Sequence, residues 1–298
     1  MSIKALLIPS LNRPPRRPRL PEFEAGSSIP RILHQTFHDR NLPERLAQNV
    51  ARLRELNPGW EYRFYDDDDI AAFIKENYPP LVWKYYQRID PCYGAARADL
   101  FRYLLLYKVG GVYLDIKSSM TLPLDEGLLA DDRFILSKWQ TADGAYENFG
   151  LVYDLRHVEG GEYQQWHVIS APGHPFLKAV VEQILDNIDT YDPHLHQTGK
   201  SGVLRLTGPI PYTLAIERIR PQHPHRVVDG RRVLGLEYNI YEHTSGHVAV
   251  FKKHYSLQTT SIVKLRPLKR QLSRLYAVAQ YFHDRAVRKR ASGHPHAG

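Results

Sequence analysis

The sequence is poor in cysteine and in long apolar runs, and each shortage excludes a class of protein. Its single cysteine, Cys92, excludes a disulfide framework within one chain, favours a reducing compartment and is interpreted as a packing residue. No stretch approaches the roughly 20 consecutive apolar residues that a membrane-spanning helix needs, so we expect a cytoplasmic protein. The sequence also lacks a P-loop, a GxGxxG motif and a GxSxG nucleophile elbow.

Positive charge is concentrated at the two ends of the chain, although the formal net charge is only +8. Residues 1–20 contain five Lys or Arg and no acid, and residues 269–298 contain seven Lys or Arg and one acid, so the part between them carries a net charge of −3. A net acidic centre argues against a nucleic-acid-binding core. We therefore expect no nucleic-acid partner, and we expect residues 1–28 to form a disordered basic arm.

The C-terminal residues 263–298 are predicted to form a basic amphipathic helix and tail. Apolar residues recur at helical spacing between Leu268 and Arg290, and most of the Lys and Arg residues lie elsewhere on the helix. One interpretation is a terminal helix that packs on its own domain and leaves a solvated face. The other is attachment to an anionic membrane surface, which would place the protein peripherally at the inner face of a membrane.

Strands and helices alternate along residues 29–262, which predicts a single α/β domain with a mainly parallel sheet. The acidic run of residues 66–69 precedes an apolar helix, and we interpret it as a helix cap rather than a metal site, because acids at a helix N-terminus satisfy free amides. The elements predicted most clearly are the strands 29–35, 60–65 and 112–116 and the helices 43–56 and 93–108.

Three charged residues are the candidates for ligand binding. Asp115 follows the apolar residues of the strand that contains Tyr113, near the strand's C-terminal end, where such sheets bind ligands. Asp99 and Arg102 lie three residues apart on the preceding helix and share one face. Carboxylates suit the hydroxyls of a sugar, and cationic groups or a divalent ion suit a diphosphate. Taken alone, Asp99 and Arg102 could instead form a local ion pair.

Several segments in order resemble the DXD region of family 32 glycosyltransferases, the Och1-like proteins. The central segment is residues 97–115, RADLFRYLLLYKVGGVYLD. Residues 29–35 (IPRILHQ) resemble the family's first strand, residues 57–62 (NPGWEY) its entry to the second strand, and residues 207–209 (TGP) a later loop. The resemblance runs from about residue 29 to 120, with fragments to about residue 260.

The resemblance implies a GT-A type fold with a mixed, mainly parallel sheet flanked by helices, a nucleotide-sugar donor, and transfer with retention at the anomeric carbon. It implies that Leu33, His34 and Gln35 line the nucleotide. Donor-binding roles fall to Asp99, Arg102, Tyr113, Asp115 and Lys117, of which Asp99, Arg102 and Asp115 are the candidate catalytic residues.

The motif departs from the family at one position. The family usually has a second Asp that binds Mn²⁺ or Mg²⁺, whereas this chain reads Asp115-Ile116-Lys117. A protonated lysine cannot coordinate a hard cation but can pair with a phosphate, so Lys117 could replace part of the metal's role. Alternatively, Asp115 binds the metal together with His254.

These observations predict an enzyme that moves a hexose, such as mannose or galactose, from a UDP- or GDP-sugar to a glycan or lipid-linked acceptor, with a role in cell-surface polysaccharide synthesis. The acceptor pocket is expected within residues 121–173. The alternative is a non-catalytic or weakly active relative that binds sugar nucleotides and whose basic tails associate with a membrane.

Overall fold

A six-stranded mixed sheet lies at the centre of the fold. The computed structural model describes residues 11–139, 146, 149–241, 258–275 and 278. The strands are β1 (Ile32–Thr36), β2 (Glu61–Tyr65), β3 (Gly111–Leu114), β4 (Ser119–Met120), β5 (Phe134–Leu136), β6 (His167–Ser170), β7 (Arg226–Val227) and β8 (Leu236–Glu237).

The central sheet has the order β2-β1-β3-β6-β5-β7, and β4 pairs separately with β8. β1 runs parallel to both β2 and β3, and β5 runs parallel to β7. β6 is antiparallel to both of its neighbours, β3 and β5. This arrangement confirms the predicted α/β class and the mixed sheet of the GT-A type.

Helices cover the sheet on both faces. They are α1 (Glu44–Leu56), α2 (Asp67–Asn77), α3 (Pro80–Arg88), α4 (Gly94–Val109), α5 (Leu124–Gly127), α6 (Pro175–Thr190), α7 (Pro193–His196), α8 (Gly199–Leu206), α9 (Pro209–Glu217) and α10 (Gly230–Leu234). Alternate residues of β3 show the two faces: Tyr113 packs in the cluster formed by α3, α4 and α6, whereas Val112 and Leu114 pack in the cluster that contains Leu53 of α1.

Two glycines make the turn from α4 into β3, where the sequence predicted the helix to end. Gly110 has φ 72° and ends α4, and Gly111 has φ 106° at the start of β3. A Cβ on Gly111 would lie 2.6 Å from the carbonyl oxygen of Ile32 in β1. The tight turn thus brings the end of β3, and with it Asp115, back toward the first half of α4.

The acidic run of residues 66–69 is confirmed as a helix cap. The Asp66 side chain accepts hydrogen bonds from the backbone amides of Asp68 and Asp69, and the Asp69 side chain accepts one from the backbone amide of Asp66. This reciprocal capping box satisfies amides that the first turn of α2 would otherwise leave unpaired.

The prediction of a disordered N-terminal arm is wrong for residues 11–28, while residues 1–10 lie outside the described part of the chain. Leu11 and Leu20 are buried. The backbone amides of Arg19 and Leu20 both donate to the Glu182 carboxylate at 2.6 Å, and the Arg19 guanidinium lies 3.3 Å from the Asp186 carboxylate. The arm is ordered because its cations match an acidic side of α6, which its Pro and Arg content does not reveal.

The C-terminal segment packs on the domain and then begins a helix. Residues 267–275 and 278 are helical, as the sequence predicted, and residues 279–298 lie outside the described part. Ser273 is buried and the Lys269 ammonium donates to the carbonyl oxygen of Asp189 at 2.8 Å. The apolar stripe faces away from the domain, since Leu268, Leu272, Leu275 and Val278 are 54–70% exposed.

Among the residues that the structure covers, no helix has both the length and the apolar character required to cross a bilayer.

Candidate active site

A cavity of about 870 Å³ opens beside the C-terminal ends of β1 and β3. It is lined by Asp99 and Arg102 from the middle of α4 and by Asp115 and Lys117, which follow β3. One end is lined by residues after β1 and near α2, and the other by aromatic residues and the start of α8. Parallel strands of open α/β sheets bind ligands at this edge, so the cavity lies where the sequence predicted a site.

Asp99, Arg102 and Asp115 form a single ionic cluster in this cavity. The Arg102 Nη2 atom lies 2.9 Å from Asp115 Oδ1 and 3.3 Å from Asp99 Oδ1. Thr207 donates from its hydroxyl to Asp99 Oδ2 at 2.9 Å. The local ion pair between Asp99 and Arg102 therefore exists, but it is part of a larger site, and the TGP loop supplies one of its hydrogen bonds.

Burial sets the electrostatics of the cluster. The side chains of Asp99 and Arg102 are both 4% exposed, whereas Asp115 is 24% exposed and faces the cavity. Burial raises the pKa of Asp99, although the neighbouring Arg102 opposes that shift. Burial alone would lower the pKa of Arg102, but the charge of Asp115 and other neighbours outweighs it and raises that pKa. Asp115 is thus the accessible carboxylate, and Arg102 holds it in place.

Gln165 fixes the other side of the guanidinium. Arg102 Nη1 donates to the backbone carbonyl of Gln165 at 2.6 Å and to its side-chain oxygen at 3.0 Å. The same side-chain oxygen accepts a hydrogen bond from the Tyr103 hydroxyl at 2.9 Å. The guanidinium also lies 4.7 Å from the centre of the Tyr113 ring. Its geometry is therefore fixed before any ligand arrives.

Lys117 lies beside the cluster and is directed at an aromatic residue. Its ammonium donates to the Tyr238 hydroxyl at 3.0 Å and lies 4.1 Å from the centre of the Tyr238 ring. Burial lowers the pKa of Lys117, and the charge of Asp115 opposes that shift. The lysine predicted to replace a metal-binding Asp thus presents a positive charge next to Asp115.

Leu33, His34 and Gln35 do not line the cavity, which corrects the prediction that they contact the nucleotide. His34 is buried and its ring nitrogens contact the carbonyl oxygen of Gly110 at 3.0 Å and the Tyr65 hydroxyl at 3.2 Å. Gln35 donates to the backbone carbonyl of Asp115 at 3.2 Å. These residues position the site from behind, because they lie within a strand that is buried on both faces.

The cavity is lined instead by the residues just after β1. Thr36 ends the strand, Phe37 and His38 follow it directly, and Asp67 and Arg97 lie near them. The motif of residues 29–35 therefore ends one residue before the cavity lining begins. Side chains inside the strand are covered by helices, whereas those at and beyond its end can contact a ligand.

The residues at the cluster do not fit a divalent cation. Asp115 has Arg102 as its ion-pair partner and Lys117 as its neighbour, and a cation bound there would meet two positive charges. Within the described ranges, no group of three His, Cys, Asp or Glu residues is arranged to hold a metal ion. His254, the other metal ligand suggested by the sequence, lies outside these ranges.

Several cavity residues were not identified individually from the sequence. Trp139, Glu162 and Trp166 fall within residues 121–173, where the sequence placed the acceptor pocket only as a region. Lys200 and Tyr238 lie farther along the chain, and no spacing links them to the motif. Cys92 is exposed and lines the cavity, so its interpretation as a packing residue is wrong.

The cavity at the sheet edge, with its cluster of two carboxylates and a guanidinium, lies where the resemblance in the sequence placed a donor site. Residues 43–135 match the family described as "Glycosyltransferase sugar-binding region containing DXD motif", which confirms the resemblance seen in the sequence.

The chain is similar to proteins named as mannosyltransferases over part of their length. It is 28% identical to inositol phosphoceramide mannosyltransferase 1 of Schizosaccharomyces pombe, over 73% of this chain and 61% of that protein. It is 34% identical to mannosyl phosphorylinositol ceramide synthase SUR1 of Saccharomyces cerevisiae, over 60% of this chain and 41% of that protein. Among solved structures, the UDP-bound glycosyltransferase domain from the YGT toxin has 9% identity and a TM-score of 0.49, covering 74% of this chain and 83% of that domain.

Proposed function

We propose that this protein transfers a hexose from a nucleoside diphosphate sugar to an acceptor hydroxyl, with retention at the anomeric carbon. The observation that carries the proposal is the buried cluster of Asp99, Arg102 and Asp115 in a cavity at the C-terminal edge of the sheet. Asp115 and the polar groups held by Arg102 suit the hydroxyls of the donor sugar. The residues after β1 suit the nucleotide.

In the proposed reaction, the acceptor oxygen attacks the anomeric carbon while the bond from that carbon to the diphosphate oxygen breaks. The electron pair leaves with the nucleoside diphosphate, and the acceptor's proton passes to the departing phosphate oxygen on the same face of the sugar. Lys117 lies beside Asp115 and meets the negative charge that develops on the diphosphate. This role requires no metal ion at the cluster.

Mannose is the proposed sugar, and a lipid that carries an inositol phosphate head group is the proposed acceptor. The support comes from the relatives, whose names describe mannosyltransferases of inositol phosphoceramide and a synthase of mannosyl phosphorylinositol ceramide. The aromatic end of the cavity suits the apolar face of a sugar or cyclitol ring. A glycan acceptor is the alternative that an acceptor screen separates from the lipid.

The test is a panel of UDP- and GDP-linked mannose, galactose and glucose, with binding measured by calorimetry and turnover by release of nucleoside diphosphate. Asp115→Ala is expected to lower turnover about 100-fold or more, as for loss of a group that contacts the reacting sugar. Asp131→Asn removes an exposed carboxylate outside the cavity and serves as the control. Absence of binding to every donor refutes the proposal.

The second candidate is a relative that binds sugar nucleotides without transferring the sugar, and Lys117 in place of the second Asp is the observation that favours it. Donor binding without release of nucleoside diphosphate, in the presence of lipid and glycan acceptors, would support this candidate over the enzyme.

We also propose that the protein associates peripherally with an anionic membrane, at the inner face of a cell membrane, through its C-terminal helix. The support is the exposed stripe of Leu268, Leu272, Leu275 and Val278, together with the exposed cations Arg266, Arg270 and Arg274. The double variant L272E/L275E should lose sedimentation with phosphatidylserine vesicles. The control L81E/L129E changes two leucines that are also exposed elsewhere, and equal loss in both variants would contradict the proposal.

A further inference from the structure

The cavity extends beyond the ionic cluster to a part, here called the second compartment, in which the proposed donor site has no residue. Tyr238 lies between the two parts, because its hydroxyl accepts the hydrogen bond from Lys117 on one side, and the charges of both Asp115 and Glu162 act on it. Beyond Tyr238 the lining residues are Trp139, Glu162 and Lys200. A ligand held here would lie next to the donor sugar.

Glu162 is a buried carboxylate that faces this compartment. It is 9% exposed, and its Oε1 atom accepts a hydrogen bond from the Trp139 indole nitrogen at 2.7 Å. Burial raises the pKa of Glu162, and the Trp139 hydrogen bond opposes that shift. A buried carboxylate is costly unless several donors satisfy it, and the hydroxyls of a polyol would supply such donors.

The Trp139 ring that donates to this carboxylate belongs to a cluster of aromatic rings. The Trp139 ring lies 5.1 Å from Phe149 and 5.1 Å from Tyr238, in both cases edge to face. Rings of this kind offer apolar surface to the C–H faces of a sugar or cyclitol, while the carboxylate accepts from its hydroxyls. The combination is selective for a ring that has both kinds of surface.

Lys200 adds a positive charge at the rim of the compartment. It is exposed, lies in the first turn of α8 and acts electrostatically on Glu162. The N-terminal end of α8 also favours negative charge. An anionic substituent on the ring is therefore favoured on the side that faces Lys200.

We infer that Trp139, Glu162 and Lys200 form the acceptor subsite, in which Glu162 accepts hydrogen bonds from the hydroxyls of a cyclitol or sugar ring and Lys200 pairs with a phosphate diester on that ring. The subsite rests on the proposed transferase function and specifies the acceptor as a phosphorylated polyol. The phosphate diester would remain at the rim, where a lipid tail can leave the cavity.

The experiment measures acceptor binding and transfer separately. Binding of glycerophosphoinositol, myo-inositol and inorganic phosphate to the full chain loaded with nucleoside diphosphate is measured by calorimetry, and transfer is measured with glycerophosphoinositol and with vesicles of phosphatidylinositol. Glu162→Gln and Lys200→Met are the test variants. Lys200→Arg is the charge-conserving variant, and Glu159→Gln is the control, because Glu159 is exposed and outside the cavity.

Glu162→Gln is expected to weaken the binding of glycerophosphoinositol and myo-inositol alike, by roughly tenfold, because the ligand hydroxyls then donate to a neutral amide instead of a carboxylate. Lys200→Met is expected to weaken only the phosphorylated ligand, and Lys200→Arg to restore it. Glu162→Gln and Lys200→Met should each keep donor affinity within about twofold of the original protein, a difference of no more than roughly 0.4 kcal/mol.

Unchanged acceptor binding in both variants overturns the subsite, as does an equal effect of Lys200→Met on myo-inositol and on the phosphorylated ligand. If inorganic phosphate binds as tightly as glycerophosphoinositol, the site recognises only the anion and not the polyol ring, and this result would also overturn the acceptor subsite. The binding measurements need no turnover, so they test the acceptor subsite even if no donor reacts. Failure of every donor to react would refute the proposed transferase function and not the subsite.

Discussion

Arg102→Met is the substitution whose consequence follows most directly from the structure. It removes the cation that pairs with Asp99 and Asp115 and donates to Gln165, at a position that is 4% exposed. Breaking a buried ion pair by removing one partner costs about 3–5 kcal/mol, because the remaining charge loses its compensation. We therefore expect the free energy of unfolding at pH 7 to fall by about that amount.

A matched surface arginine provides the control. Arg40 also pairs with two carboxylates, Asp66 and Asp69, but its side chain is 61% exposed. Exposed pairs contribute at most about 1 kcal/mol, so Arg40→Met should have a much smaller effect. Urea unfolding of both variants, followed by circular dichroism, tests whether burial rather than the number of contacts decides the loss.

The pH dependence gives a second check on the same variant. Burial raises the pKa of Asp99, and without Arg102 nothing comparable opposes that shift. The Asp99 carboxyl then binds a proton more readily in the folded than in the unfolded state. The loss of unfolding free energy in the variant is therefore largest at neutral pH and becomes smaller as the pH falls through the raised pKa. A loss of unfolding free energy below about 1 kcal/mol at pH 7, or a loss that increases on acidification, would contradict the buried ion-pair role of Arg102.

Three further predictions concern the metal, the glycine turn and a buried histidine. Sugar transfer should continue in the presence of EDTA. Lys117→Met should lower the transfer rate roughly tenfold, because a charged contact to the diphosphate is lost. Complete loss of transfer with EDTA contradicts this role of Lys117. Gly111→Ala should destabilise the fold by about 1–3 kcal/mol because of its φ of 106° and the close Ile32 carbonyl, while Gly59→Ala, with nothing within 4 Å, should have little effect in the same urea assay. Burial lowers the pKa of His34 to about 4. The neutral ring therefore makes its full contribution to the free energy of unfolding above the ordinary pKa near 6.5, and about 3 kcal/mol of this contribution is lost as the pH falls toward 4. His34→Asn should weaken this acid dependence in denaturation curves.

Local signals predicted most of the fold. The capping box at Asp66, the glycine pair after α4 and the apolar strand before Asp115 each act over a few residues, so their meaning is visible in the sequence. The order of residues 11–28 is not visible in the sequence because it depends on α6, more than 150 residues away along the chain. Composition alone cannot report a partner at that distance.

The candidate site likewise combines residues that local sequence signals identify with residues that only the tertiary structure brings together. Asp99, Arg102 and Asp115 were identifiable because one helix and the next strand carry them, and the structure joins them in one cluster. The assignment of Leu33, His34 and Gln35 failed because a linear motif does not reveal where a strand leaves its covering helices. Glu162 and Lys200 reach the cavity from separate elements, and only the tertiary structure brings them to it.

Charge balance links Lys117 to the poor fit of the described ionic cluster to a divalent cation. In the related motif, an Asp at this position and a bound divalent cation together contribute one positive charge, and a lysine alone contributes the same. With Asp99, Arg102 and Asp115 unchanged, the two arrangements present the same formal charge to a diphosphate. A cation added beside Lys117 would exceed that balance and would meet Arg102 as well. The substitution is therefore more consistent with a site that has replaced its metal than with one that has lost its function, and transfer in the presence of EDTA is the observation that separates the two.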